Sequence, residues 1–282
     1  MRKCSHPGKH GVGSCFSKTH AKPLKYGTHA GATNTDHLTM VSKFLKSPEL
    51  CAICHNFPHP FSAGATLQDT YEEWKNGPYP KMGKRCQDCH MRDYAGSGAI
   101  GAPERKDLHL HGFPGGRSDL VKKAATVTAW VQAKEKSGKG AVNLNAVVAN
   151  VGSGHFMPTG LPGLRQMWLE VVVRNDQGVE VFANKTPIGI EPRGPDGKPT
   201  MPWNAVQFGP DTRIGPQKQT KWQFPLPETD SGQLEVKVSV YYRSVSELAA
   251  QAAGIKPSAP IEIASDRLRV LKDGRVEKIA VD

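Results

Sequence analysis

The sequence predicts an α+β chain in two unlike parts: a loop-rich N-terminal domain with short helices over residues 1–120, and an antiparallel β-sandwich over residues 121–282. Three observations point there. All six Cys lie at or before Cys89 and ten of the eleven His lie at or before His111, so sulfur and imidazole chemistry is confined to the first two fifths of the chain. From about Ala125 the apolar residues recur with a period of two, the mark of strands. The 29 Gly and 22 Pro suit long connections in the first part and tight turns in the second.

Taken in order, Ser47-Pro48-Glu49 reads as a helix start, with an N-cap, a proline at the first helical position and an acid in the first turn. It leads directly into Cys51-Ala52-Ile53-Cys54-His55. Thr66 with Asp69 resembles a capping box, and Leu67, Tyr71 and Trp74 follow at helical spacing as a packing stripe. A second pentapeptide, Cys86-Gln87-Asp88-Cys89-His90, comes next. The Gly-, Pro- and His-rich stretch from Met91 to Gly116 reads as a wrapped loop. Strands are expected at 126–131, 142–151, 167–174, 179–183, 221–224, 234–242, 261–263 and 268–271, with a short helix at 246–253. Asn175-Asp176-Gln177-Gly178 and Lys272-Asp273-Gly274 supply hairpin turns. This many short antiparallel strands make an immunoglobulin-like sandwich the expected architecture, although the Cys…Trp…Cys hallmark is missing.

Both pentapeptides read C-x-x-C-H, the spacing at which a chain captures haem covalently: two thiols add to the porphyrin edge and the next residue places an imidazole under the iron. Cys51, Cys54, Cys86 and Cys89 are the expected anchors, with His55 and His90 as proximal ligands. A zinc ribbon also uses C-x-x-C pairs, but it requires no His after them, and a redox dithiol needs an alternating strand and helix pattern that the segment lacks. The remaining histidines, His6, His10, His20, His29, His37, His59, His109, His111 and His155, outnumber what packing requires and suit distal iron ligands. Of His109 and His111, two apart and so on opposite sides of an extended chain, one is expected to bind iron. His155 stands alone in the β part, in Gly154-His155-Phe156-Met157-Pro158-Thr159-Gly160; it is either a structural residue of that loop or an iron ligand reaching across.

Cys4 and Cys15 belong to neither motif. Cys15 to His20 looks like a stretched attachment site with Thr19 where a Cys would stand. Two readings stay open: a third haem held through Cys15, with Cys4 as a distant anchor and His20 as ligand, or a Cys4–Cys15 disulfide. The crowding of His6, His10 and His29 favours the haem.

The formal charge of +11 is spread evenly: residues 1–120 carry 16 Lys and Arg against 10 Asp and Glu, and the rest 21 against 16. No basic tail marks a nucleic-acid partner, and haem propionates are the expected counterions. No apolar run approaches the ~18 residues of a membrane span. Covalent haem is installed outside the cytoplasm, so a periplasmic or extracellular location is expected. Because no secretory apolar stretch follows Met1-Arg2-Lys3, the chain is expected to be a mature or N-terminally incomplete form.

In Ser47 to His55, in the Thr-Tyr-Glu-Glu-Trp helix leading to Cys86–Met91, in His111 to Gly116, and in Gly154 to Gly160 with Arg165, Trp168 and Leu169, the chain resembles the multihaem c-type cytochromes of extracytoplasmic respiration. The resemblance is to members in which a His-rich haem region precedes a β-sandwich. It implies electron transfer between redox proteins through closely spaced, mostly bis-His haems c, of which the two pentapeptides supply two; a third at Cys15 rests on the residues alone and stays open beside the disulfide. It also implies distal histidines supplied by distant segments or by neighbouring subunits of a homo-oligomer or filament. The chain departs from the family at Cys4 and Cys15, where another C-x-x-C-H is usual. The alternative function is a haem enzyme acting on small nitrogen or sulfur compounds, which requires one open-faced iron and nearby proton donors.

Overall fold

The computed structural model describes residues 24–30, 37–59, 66–133, 142–227 and 232–280. It is a strand-rich α+β chain with few, short helices. Cys4, His6, His10, Cys15 and His20 lie outside the described residues.

The first part pairs β1 (Leu24–Gly27) with β2 (Leu38–Val41) in parallel, then runs through α1 (Glu49–His55), β3 (Phe57–Pro58), β4 (Thr66–Gln68), α2 (Thr70–Lys75) and α3 (Cys86–His90). It closes with a hairpin of β5 (Asp93–Ser97) and β6 (Glu104–His109). Three expectations are corrected here. The expected Met91–Gly116 loop contains that hairpin, whose strands are mostly exposed and so lack a buried face to impose alternation. Leu67 sits in β4 rather than on a helix, because α2 starts only after Asp69; it is nonetheless buried, while Tyr71 and Trp74 keep the helical stripe with ring centroids 5.7 Å apart. α1 starts one residue later than expected, with Pro48 at the N-cap, and the Ser47 hydroxyl donates instead to the Phe44 carbonyl.

From Ala125 two antiparallel sheets share one core. The three-stranded sheet has the order β13-β8-β7, from β7 (Ala125–Ala133), β8 (Val142–Asn150) and the later strand β13 (Gln219–Pro225). The five-stranded sheet runs β10-β9-β14-β15-β16. Its strands are β9 (Gln166–Asn175), β10 (Glu180–Ile188), β14 (Leu234–Arg243), β15 (Ile261–Val270) and β16 (Val276–Ile279). A small pair, β11 (Pro192–Arg193) with β12 (Gln207–Phe208), and α4 (Glu247–Ala253) lie in the connections. Alternation dictates the core: Met167, Leu169, Val171 and Val173 of β9 and Leu234, Val236, Val238 and Val240 of β14 are buried with Leu144, Ala146 and Val148 of β8. Each such side chain contributes about 1.5–3 kcal/mol on burial.

The expected strands at 261–263 and 268–271 are one strand, β15. Its polar middle, Ser265-Asp266-Arg267, reads as a loop in sequence, yet Asp266 accepts the backbone N–H of Ala129 at 2.7 Å and pairs with Lys278, blunting the free edge of β7. The strand expected at 179–183 continues to Ile188; Pro187 is tolerated there, as Pro225 is in β13, because both are edge strands. The expected turns are in place, with Gly178 and Gly274 at φ 77° and 82°. Ser246 caps α4 through Ala249 N–H.

The two parts differ in what they bury. Among the described residues before Val121 the buried apolar residues are Pro48 and Leu67, whereas Leu38, Met40, Phe44, Ile53, Met82 and Phe113 are exposed. Among the described residues no helix is long and apolar enough to cross a membrane.

Candidate functional site

α1 and α3 are short helices, and each carries reactive residues at i, i+3 and i+4, which a helix places on one face. That face holds Cys51, Cys54 and His55 in α1 and Cys86, Cys89 and His90 in α3. The helices are tied to each other through their starts. Arg85 N–H and guanidinium both bond Asp88, at 2.7 and 2.8 Å, fixing the first turn of α3; a further Arg85 nitrogen donates to Lys46 O at 3.1 Å. Gln87, buried, donates to Ser47 O at 2.6 Å. Tyr71 of α2 donates to Glu49 at 3.0 Å, adding the third helix to the group.

These ties bring Cys51 beside Cys86. The Cys86 thiol donates to Cys51, which holds the Cys51 thiol down to about 7 and pushes Cys86 up. His90 Nδ1 donates to Pro114 O at 2.5 Å, leaving Nε2 unprotonated in the neutral ring. His155 arrives from the β part: its ring lies 6.4 Å from that of His90, centroid to centroid, with 19° between planes. Its Nδ1 sits 2.9 Å from Phe156 O and 2.9 Å from the Ser153 hydroxyl, so Nε2 is again left free of the proton. Burial lowers His155 to about 4, against the Phe156 bond and with help from His90 and His55, so the imidazole is neutral at neutral pH. His55, though one edge reaches solvent, is lowered by partial burial and then by His90.

The loop bearing His155 is held on both sides. Asn150, at the end of β8, donates to His155 O at 2.9 Å and Ile214 O at 3.0 Å and accepts from Ser153 N–H. Met157 and Ile214 exchange two backbone bonds of 3.0 Å. Toward α2, Glu73 Oε2 accepts from Phe156 N–H at 3.0 Å and from the Thr159 hydroxyl at 2.6 Å, while Oε1 meets Arg213 at 2.5 Å. The Thr159 and Thr70 hydroxyls are 2.7 Å apart; Thr70 donates to Gln68 at 2.9 Å, and the Gln68 amide is 3.2 Å from His55 Nδ1. A continuous polar chain therefore joins His55 to the loop of His155.

Asp69 sits at the margin of this network, and burial followed by its contact with Glu73 raises it to about 6. An acid raised in the fold binds its proton more tightly there than when unfolded, so its ionisation costs stability as pH rises from about 4 to 6. Asp69→Asn is expected to leave the thermal midpoint unchanged near pH 4 and to raise it above pH 6 by an amount worth roughly 1 kcal/mol, discounted for the residue's exposure. Melting curves of both proteins across pH 4–7 check this; an equal difference at every pH contradicts it.

The structure thus brings together Cys51, Cys86, His55, His90 and His155, with Cys54 and Cys89 on the same helices. Other expected ligands are held elsewhere. His29 accepts from Arg105 at 2.8 Å and lies 3.4 Å from Asp107; His109 Nδ1 is 2.7 Å from Asp93 and 3.2 Å from Met91 O. His59 is buried with Nε2 2.8 Å from Pro202 O. His111 is exposed and lies edge-on to Phe113. His37 has a buried Nδ1 with no hydrogen-bond partner among the described residues. Sequence reasoning missed Glu73, Arg213, Asn150 and Gln68; the one signal for Glu73 was an acid on a short helix beside an aromatic stripe.

No family model matches the sequence, and no curated protein is similar to it. Among solved structures, an X-ray structure of a structural-genomics target aligns with 50% of this chain and 86% of its own at 11% identity and a TM-score of 0.24, too low to support a comparison. A penta-haem cytochrome c552 from Thermochromatium tepidum is similar at a TM-score of 0.62 and 19% identity, over 88% of this chain. The chain spans 62% of that cytochrome's length and shares its fold.

Proposed function

We propose that the chain is a multihaem c-type cytochrome carrying electrons between redox partners. Cys51 and Cys54 would anchor one haem with His55 as proximal ligand; Cys86 and Cys89 would anchor a second with His90 as proximal and His155 as distal ligand. The observation that carries this reading is the His90–His155 pair. Two imidazoles on opposite faces of one metal, each bonded at about 2 Å, have ring centroids about 6 Å apart, and these rings are 6.4 Å apart with both Nδ1 atoms engaged elsewhere. The apolar side chains exposed around α1 and α3 further fit the chain to flat hydrophobic groups. Among the described residues no three His, Cys, Asp or Glu side chains converge on a metal-sized site, whereas an iron in porphyrin asks only for two.

Bound haem supplies a one-electron ferric–ferrous couple. The chain's residues would do the rest: the thiols would fix its position, His90 and His155 would hold the iron, and the Pro114 and Phe156 carbonyls orient the two rings. The contact of Cys51 with Cys86 supports this reading, because two haems held there would lie side by side, as rapid transfer requires. In this reading residues 1–120 form the haem domain, with Cys15 and His20 as a third site, and 121–282 form an immunoglobulin-like sandwich for docking or assembly, in an extracytoplasmic setting. Electron paramagnetic resonance of the oxidised protein and carbon monoxide challenge of the reduced protein test it. Low-spin haem unreactive to carbon monoxide is expected; a high-spin, ligand-binding haem in the wild type would instead identify an enzyme.

A further inference from the structure

We propose that Glu73, fixed by Arg213, is the positioning residue that delivers His155 to the haem of Cys86–His90; this rests on the reading above. Glu73 is almost wholly enclosed, its side chain 3% exposed, and Arg213 is 11% exposed. Enclosing a carboxylate is costly unless it is paired and hydrogen-bonded, and Glu73 is both. Three bonds tie Glu73 to the His155 loop or its support, and Asp69 meets it as well. Phe156 N–H and the Thr159 hydroxyl bond one oxygen, and Arg213 takes the other.

Phe156 is the residue that links them. Its N–H, in the peptide it shares with His155, is fixed by Glu73, and its carbonyl, in the following peptide, receives Nδ1–H of His155, so the carboxylate holds the residue against which the imidazole is oriented. Arg213 is held in turn by Asp211 at 2.9 and 3.0 Å and lies over the Phe156 ring at 5.0 Å. Arg213 immediately precedes Ile214, whose backbone pairs with Met157, so the guanidinium is anchored to the same loop from the β side. Glu73 belongs to α2, which Thr70, Gln68 and His55 connect to the first motif. One carboxylate therefore ties the His155 loop to α2 and, through it, to the first pentapeptide.

The test uses the haem-loaded full chain, reading low-spin resonance intensity, the carbon monoxide-reactive fraction and midpoint potentials, with haem content and circular dichroism measured alongside. His155→Ala is expected to make one haem high-spin and reactive. Glu73→Ala is expected to yield the same species in part of the molecules, with a roughly tenfold or greater rise in the reactive fraction for loss of charge-assisted bonds. Glu73→Gln, which still accepts from Phe156 N–H, is expected to restore most low-spin character. Thr159→Val, which removes one bond to Glu73 without exposing a buried charge, is expected to shift the fraction in the same direction and decides the matter if Glu73→Ala does not fold. Fully low-spin, unreactive haem in Glu73→Ala and Thr159→Val, beside a reactive His155→Ala, overturns the positioning role. Unchanged haem in His155→Ala overturns the ligand assignment and the proposal with it.

Discussion

Replacing His155 with alanine is expected to convert the haem at Cys86–His90 from six-coordinate low-spin to five-coordinate high-spin, to open it to carbon monoxide and to raise its potential. The ring lies 6.4 Å from that of His90 and nearly parallel to it, and the bond of its Nδ1 to the Phe156 carbonyl leaves Nε2 free of the proton in the neutral ring. With its own pKa near 4, the imidazole competes weakly for protons and stays available as a ligand through mildly acidic solution. Its loss would take an electron-donating ligand from the iron, which favours the high-spin form, and would leave one face open to carbon monoxide. The haem at Cys51–His55 is expected to keep its spectrum, because no bond to it is cut. Difference spectra with carbon monoxide, before and after substitution, measure the effect; a spectrum identical to wild type rejects His155 as a ligand.

A second large effect is expected at Gly152, where β8 turns into the His155 loop. A Cβ built there would lie 2.0 Å from Lys123 O and 2.9 Å from the Lys123 carbonyl carbon, backbone atoms that cannot rotate away. The close approach is held by Val151 and Gly152 N–H groups, both donating to Ala124 O, at 3.0 and 3.1 Å. Alanine forces the two segments apart, breaks those bonds and drags Ser153 and His155 out of place. Overpacking against fixed backbone costs typically 1–3 kcal/mol, and with two lost hydrogen bonds about 3–5 kcal/mol is expected. Gly112→Ala, where a Cβ meets nothing within 4 Å, is the matched control and should change stability by less than about 1 kcal/mol. Chemical denaturation of the two variants makes the comparison, and equal stabilities would contradict the packing described.

What could be read in the sequence was local. Covalent capture of haem needs two thiols and an imidazole within five residues, so Cys51–His55 and Cys86–His90 could be read as candidate attachment sites without any knowledge of the fold. The strands from Ala125 onward were legible because one face of each is buried in the core, which imposes the period of two. Where that pressure is absent, legibility failed: β5 and β6 are largely exposed, and the polar centre of β15 is explained only by the partners of Asp266. The site's supports were invisible for a different reason. Glu73 and Arg213 are 140 residues apart, and Asn150 reads as the polar end of a strand until its three bonds to the loop and to Ile214 are seen. His155 was singled out by its Gly/Pro loop, but only the tertiary fold sets it against His90.

The most direct test of the central claim is the intact mass of the matured, denatured protein together with its haem content, for the wild type and two variants, Cys51→Ala with Cys54→Ala and Cys86→Ala with Cys89→Ala. The account predicts covalently retained haem in the wild type and the loss of one haem per chain in each variant, with the other haem still attached. A wild-type chain of unmodified mass, or variants that retain the full haem content, would contradict it.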